Sequence, residues 1–479
     1  MKPRSLPRTA AAAALLLGLA ACSTGPVYHA PQDEAPTAYR YAAEGTAEFP
    51  AAGWWTLFGD AELDRQIEAV LQANQNLVLA LARFDESRAL LGVTRADELP
   101  SAAFDPLAAR ARTSGSVSNR LPALDTTLYR VPFDAAYEID LWGRVRHSVA
   151  AAEAQLEGSA DAVAVIRLVL SADAASTYFS IRSSDREIDV LERTLALRRE
   201  ALQLAERRAH AGSVGDLDVV RARADLALTA ADLQDSRRRR ELAEHALAVL
   251  EDRNAISFEL PARPRESAIP AIPAGLPADL LRRRPDVAQN ERALKAANER
   301  IGVAEAAFFP SIRLTAFAGV ASNDLSNLLD KPSEIWSIGP SLGLPVFDGG
   351  RNRGNLEAAQ ARYRQAAASY RLSVLGAFRE TQDSLSDVAY LRERSESLHD
   401  AVVAALQAAK ISRSRYDRGL VGYFEVVESE RSALLTQRAE IQNDQQRLVA
   451  AVSLIKALGG GWHVADAAAD GAGSAVPSP

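Results

Sequence analysis

The chain has 479 residues, 48% of them hydrophobic and 24% charged, which is enough apolar material for a large core and excludes disorder throughout. Its 55 basic residues stand against 62 acidic ones, a net charge of −7, so no basic excess exists to hold a nucleic-acid backbone. One cysteine forbids an intrachain disulfide and any zinc site needing several thiolates, and the six histidines never fall three or four apart. No glycine loop ends in Lys-Ser or Lys-Thr, and Gly212-Ser213-Val214-Gly215 lacks the spacing of a hydrolase elbow. No metal or other cofactor is expected, and the chain does not read as an enzyme.

In chain order the first element is a leader. Lys2, Arg4 and Arg8 precede an alanine and leucine run from Ala10 to Ala21, the pattern of a signal peptide over residues 1–21. The run ends in Leu19-Ala20-Ala21-Cys22, which resembles the lipobox of bacterial lipoproteins. That resemblance makes Cys22 the lipidated new N-terminus, and Ser23 in place of Asp after it implies transfer to the outer membrane. Each buried acyl methylene contributes about 0.8 kcal/mol, so acyl chains hold a protein at a membrane without a spanning helix. Residues 22–59 read as a lipidated linker.

Two copies of one unit follow, at 60–250 and 278–458, joined by a proline-rich link over 251–277. A glycine- and alanine-rich tail, 459–479, is expected to be disordered. Gly143-Arg144-Val145-Arg146 recurs as Gly350-Arg351-Asn352-Arg353, and Gly212-Ser213-Val214-Gly215 recurs as Gly419-Leu420-Val421-Gly422, both displaced by 207 residues. Each copy opens with a helical stretch, 63–98 or 279–308, stopped by proline. After extended segments comes a proline-free helix, 144–211 or 351–418, which at 1.5 Å per residue spans roughly 100 Å. Glycines break it, and a helix about half as long returns over 216–251 or 424–458.

Between these helices lie alternating segments. Tyr129, Val131, Phe133, Ala135, Tyr137, Ile139 and Leu141 form one face of a period-two run, with Arg130, Asp134, Glu138 and Asp140 on the other. Trp336, Ile338, Leu342, Leu344 and Val346 repeat the pattern in the second copy, and weaker strands are expected near 102–112 and 312–320. Such alternation fits a transmembrane barrel strand or a half-buried strand of a soluble sheet equally well. If the sheet lies in lipid, four strands cannot close it, since small barrels need about eight. Two chains would supply eight strands and three would supply twelve.

The order of elements resembles the TolC-like outer-membrane efflux proteins, in the lipoprotein branch of OprM and NodT type. The resemblance is carried by Cys22, Gly25-Pro26-Val27-Tyr28, Trp55 with Phe58 and Leu63, residues 137–144, Leu281 to Asp286, Phe309-Pro310-Ser311 and residues 343–351. It implies an α+β membrane protein, in which a long α-helical barrel is continuous with a transmembrane β-barrel completed by oligomerisation as a homotrimer of twelve strands. It further implies the outer-membrane channel component of a tripartite efflux system: a passive exit duct for drugs or other small solutes from the periplasm. Its partners would be a periplasmic adaptor protein and an inner-membrane pump of RND type. The alternative reading is a lipid-anchored periplasmic coiled-coil adaptor or structural protein; a periplasmic lipoprotein enzyme ranks third.

By the same resemblance the helical turns, at the end farthest from the strands, would receive the adaptor at Gly212, Val214, Gly215, Gly419, Val421 and Gly422. Phe424, Glu428 and Arg431 are spaced four and three apart and so share one helical face. They match the family positions that close the periplasmic gate, with Glu428 where the acid is more often Asp. Arg221 occupies the first-copy position matching Glu428, so an ion pair between them is expected as a latch.

Overall fold

The computed structural model describes residues 24–31, 38–41, 53–114, 125–264, 266–272 and 283–462. The leader, Cys22 and the tail from 463 lie outside the described residues. The chain divides into two compact units, one made of Met1–Gln32, Arg83–Ser159 and Gln289–Arg371, the other of Asp33–Ala82, Ala160–Ala288 and Leu372–Pro479.

The first unit holds the sheet. Strand β3 (Asp125–Ile139) pairs antiparallel with β4 (Ser311–Ser322), which pairs with β5 (Glu334–Gly343). The other side of β3 is covered by β1 (Ser101–Phe104) and then β2 (Leu107–Arg112), which share one strand line. The break between them falls at Asp105-Pro106, where proline has no N–H to give to the ladder. Strand β5 stops at Gly343, although the sequence alternation runs on to Val346. Among the described residues the chain therefore presents four strand lines and two unpaired edges. On β5, Trp336, Ile338 and Leu342 remain at least 65% exposed.

Residues of both copies meet at the strand ends. Trp142 Nε1 donates to the Pro310 carbonyl at 2.7 Å, and its ring stacks on Phe309 with centroids 4.8 Å apart. Thr24 donates its N–H to the Trp142 carbonyl at 3.2 Å, and Asn298 donates to the Pro26 carbonyl at 2.9 Å. Gly25 has φ +114° and lies so close to Gly302 that a Cβ on it would sit 2.7 Å from the Gly302 Cα. The segment starting two residues after Cys22 is thus fastened beside the first turns of the long helix that follows β3.

Helix α1 (Ala61–Ala73) is followed by α2 (Gln75–Arg95). The sequence reads as one stretch here, but Asn74 breaks it. Its side chain accepts from the Asn76 N–H at 2.9 Å and donates to the Leu250 carbonyl at 2.8 Å, an alternative to the helical ladder. Beside α1, Trp54, Phe58 and Leu63 are buried, whereas Trp55 is only half-buried. Then come α3 (Arg144–His210), α4 (Asp216–Leu250), α5 (Pro285–Ala306), α6 (Arg351–Asp417) and α7 (Tyr423–Ala457). Helices α3 and α6 have 67 residues each and α4 and α7 have 35 each, so the long ones reach roughly 100 Å.

The second unit is built from the ends of these helices that approach the turns. Leu191 and Leu195 of α3, Leu233 of α4 and Leu434 of α7 form one buried cluster. A fully buried leucine contributes about 1.5–3 kcal/mol. The basic run Arg237 to Arg240 is neutralised in place. Arg237 pairs with Glu192 at 2.6 Å, Arg238 with Asp235 at 2.8 Å, Arg239 with Glu187 at 2.9 Å and Arg240 with Asp185 at 2.6 Å. Three of those four partners lie on α3, so the run joins α4 to α3 and leaves no free basic patch.

Candidate functional site

The turns α3–α4 and α6–α7 have the same backbone. Gly212 (φ +71°) donates to the Ala209 carbonyl and Ser213 to that of Arg208; Gly419 (φ +73°) donates to Tyr416 and Leu420 to Arg415. Each is a Schellman stop, in which the left-handed residue wants no Cβ. Gly215 and Gly422, which open α4 and α7, have ordinary extended dihedrals, and nothing lies within 4 Å of where a Cβ would stand. Conformation does not require glycine there. Val214, Gly419, Val421 and Gly422 line a common groove of about 680 Å³, so the turns of both copies are brought together; Gly212 and Gly215 do not line it.

Arg208 ties the turns to each other. It donates to the carbonyls of Tyr416 and Asp417, the last residues of α6, at 3.3 Å each. Its guanidinium also stands 4.4 Å over the Tyr416 ring. Tyr416 leans on Tyr423 with centroids 5.5 Å apart, both nearly fully buried with Val219, Ala222 and Val426. Burial pushes the Tyr423 hydroxyl up to about 12.

Phe424, Glu428 and Arg431 do share one face of α7. They are exposed, with Phe424 at 57%, while Tyr423, Val426, Ala433 and Leu434 are buried against the chain's own core. Arg221 is not where the latch requires it. Its guanidinium carbon sits 5.2 Å from the centroid of the Phe424 ring, one helical turn before Glu428, and no Arg221–Glu428 ion pair forms among the described residues. The planar, weakly hydrated guanidinium stacks on an available aromatic face instead.

A buried charge cluster between the four helices was not foreseen in the sequence. Arg198 of α3, only 3% exposed, pairs with Asp225 of α4 and also donates to its main-chain carbonyl at 3.0 Å. Arg413 of α6 meets Glu430 of α7 at 3.4 Å and Asp417 at 3.7 Å. Burial lifts the Asp225 carboxyl above its ordinary value against the pull of Arg198. It lifts that of Glu430 as well, with Arg413 and Arg198 opposing and Asp225 adding to the rise.

Two glycine-stopped hairpins, one from each copy of the sequence unit, and a four-line antiparallel sheet to which each copy gives two lines coincide with one family. The sequence model for the outer membrane efflux protein family matches residues 66–250 and 276–460. The chain belongs to the outer membrane efflux protein family. It is 33% identical to the outer membrane protein OprJ of Pseudomonas aeruginosa, over 94% of this chain and 95% of OprJ. It is equally similar, at 33%, to the solvent efflux pump outer membrane protein SrpC of Pseudomonas putida, over 97% of this chain and 99% of SrpC. The fold is similar to that of the outer-membrane channel OprN, with a TM-score of 0.86 and 30% identity over 92% of this chain and all of OprN. As a member of that family, the chain is an outer-membrane efflux channel protein.

Proposed function

We propose that three copies of this efflux protein pool their sheets into one twelve-stranded barrel and their helices into a duct through which small solutes leave the periplasm. The observation that carries this reading is the sheet whose two edges are unpaired among the described residues, with the apolar Trp336, Ile338 and Leu342 of β5 exposed. An open edge left in lipid strands backbone N–H and C=O groups at several kcal/mol each, so further copies must supply the missing neighbours. Acylated Cys22 anchors the chain; the fastening of Thr24, two residues later, to the Trp142 carbonyl supports an anchor on the strand side. The duct is passive and catalyses nothing. A periplasmic adaptor docks at the turns, where the bare Gly215 and Gly422 and the groove holding Val214, Gly419, Val421 and Gly422 admit close approach, with Gly212 shaping the turn. An inner-membrane pump, of RND type, supplies the energy and selects the solute. Phe424, Glu428 and Arg431 from each copy narrow the bore at rest, with Arg221 beside them.

The test is the oligomeric state of the detergent-solubilised protein with and without its anchor. A mass of three chains, and retention of Cys22→Ala in the membrane, are expected. A monodisperse monomer that needs no detergent overturns the reading.

A further inference from the structure

Three features mark Arg221. It is exposed on α4, close to the face that carries the proposed gate, and its guanidinium lies over the Phe424 ring at 5.2 Å. Among the described residues it holds no carboxylate, whereas its neighbours Arg198, Arg223, Arg413 and Arg415 all do. Glu428, the acid placed opposite it by the repeat, is exposed one turn further along α7. The cation is spent on a ring and leaves the acid unneutralised.

We propose, resting on the gate reading above, that Arg221 is a positioning residue of the gate that acts through the Phe424 ring and not through Glu428. A guanidinium over one face of an exposed aromatic ring restricts its rotamers and keeps the ring presented on the exposed side of α7. Any opening that draws α7 away from α4 must break this contact first. One exposed cation–π contact shifts such an equilibrium by about two- to five-fold per chain. Because Arg221 is not consumed in an ion pair, it also adds one positive charge per chain beside the constriction, which opposes cation passage.

The experiment is conductance and reversal potential of the full-length protein in planar bilayers under a potassium chloride gradient. Phe424→Ala comes first: a raised resting conductance supports the gate, and an unchanged one overturns the gate itself. Given that rise, Arg221→Gln, which removes the contact from every chain, should raise resting conductance at least about two-fold and move the reversal potential toward cation preference, while Arg221→Lys, still a cation over the ring, keeps most of the wild-type behaviour. In a Phe424→Leu background Arg221→Gln should add nothing to conductance while still shifting the reversal potential. If Arg221→Gln keeps its full conductance effect in Phe424→Leu and loses it in Glu428→Gln, Arg221 is an ionic partner of the acid and the proposal is overturned. It is overturned equally if Arg221→Gln changes neither quantity.

Discussion

The hairpin α3–α4 and the hairpin α6–α7 share a backbone and differ in how they use charge. Glu206 and Arg223 of the first copy pair at 2.9 Å; displaced by 207 residues, the same two positions are Arg413 and Glu430, paired at 3.4 Å with the polarity reversed. The first pair is open to water, with Arg223 63% exposed, whereas Glu430 keeps only 17% exposure. Arg198 and Asp225 correspond to Ala405 and Ser432, which cannot form that pair. Arg208 crosses from α3 to the end of α6, while its counterpart Arg415 stays within its own hairpin on Glu425 at 2.9 Å. What the copies share makes a hairpin. Among what differs, Arg208 holds one hairpin against the other, and the proposed gate sits on the second hairpin.

Breaking the buried side of that comparison should have the largest effect. Arg198→Ala leaves Asp225 charged and unpaired in the interior, which costs about 3–5 kcal/mol. Arg223→Ala removes an exposed pair and should change stability by less than about 1 kcal/mol. Unfolding of the helical signal in urea compares the two, and equal losses would erase the distinction between the buried and the exposed pair. Reversing polarity sharpens it. Glu206→Arg with Arg223→Glu should be tolerated, while Arg413→Glu with Glu430→Arg should lose about 1–3 kcal/mol. In that second double variant a glutamate faces Asp417 and an arginine faces Arg198.

The parts of this arrangement that depend on local rules were legible. Left-handed glycines at 212 and 419, the three-and-four spacing on α7, the proline stops and the two-residue alternation of β3 all follow from a few neighbouring residues. The break between β1 and β2 is missed by the apolar pattern, which reads 102–112 as one strand; Pro106 was the available signal. The charge cluster was not legible, because Arg198 and Asp225 lie 27 residues apart on different helices and only the fold makes them neighbours. Reversed polarity at 206/223 and 413/430 was the available signal, visible once the 207-residue displacement is applied pair by pair. Matching Arg221 to Glu428 by that same displacement failed. It ignores that an arginine can reach a ring one turn away. Asn74 looked like an ordinary helical residue, and its break depends on the distant Leu250 carbonyl.

Proton linkage offers a smaller test. Burial raises the Glu430 carboxyl above its ordinary value of about 4.5, so the folded cluster binds a proton more tightly than the unfolded chain does. Its contribution to stability is therefore fully present below that ordinary value and is lost as pH rises through the raised one. Facing it are Arg413 from α6, Arg198 from α3, Asp225 from α4 and Tyr423 from its own helix. Asp225, also raised, acts in the same direction. Melting temperature followed from about pH 4.5 to 8 should fall with rising pH, and more shallowly in Glu430→Gln. An unchanged slope in that variant would assign the dependence elsewhere.

The smallest effect on stability separates shape from contact at the turns. Gly419→Ala forces a Cβ onto a residue at φ +73° and should cost about 1 kcal/mol or slightly more, with the turn disturbed. Gly422→Ser places a good N-cap at a residue whose dihedrals any amino acid adopts, in open space, so it should be neutral or stabilising by a few tenths of a kcal/mol. The same holds for Gly215→Ser at the start of α4. If glycine is kept there only so that an adaptor can approach the backbone, these two substitutions will impair efflux in cells while melting temperature holds or rises. Loss of efflux with loss of stability would make them turn residues and nothing more. Full efflux in both would move the docking surface away from Gly215 and Gly422.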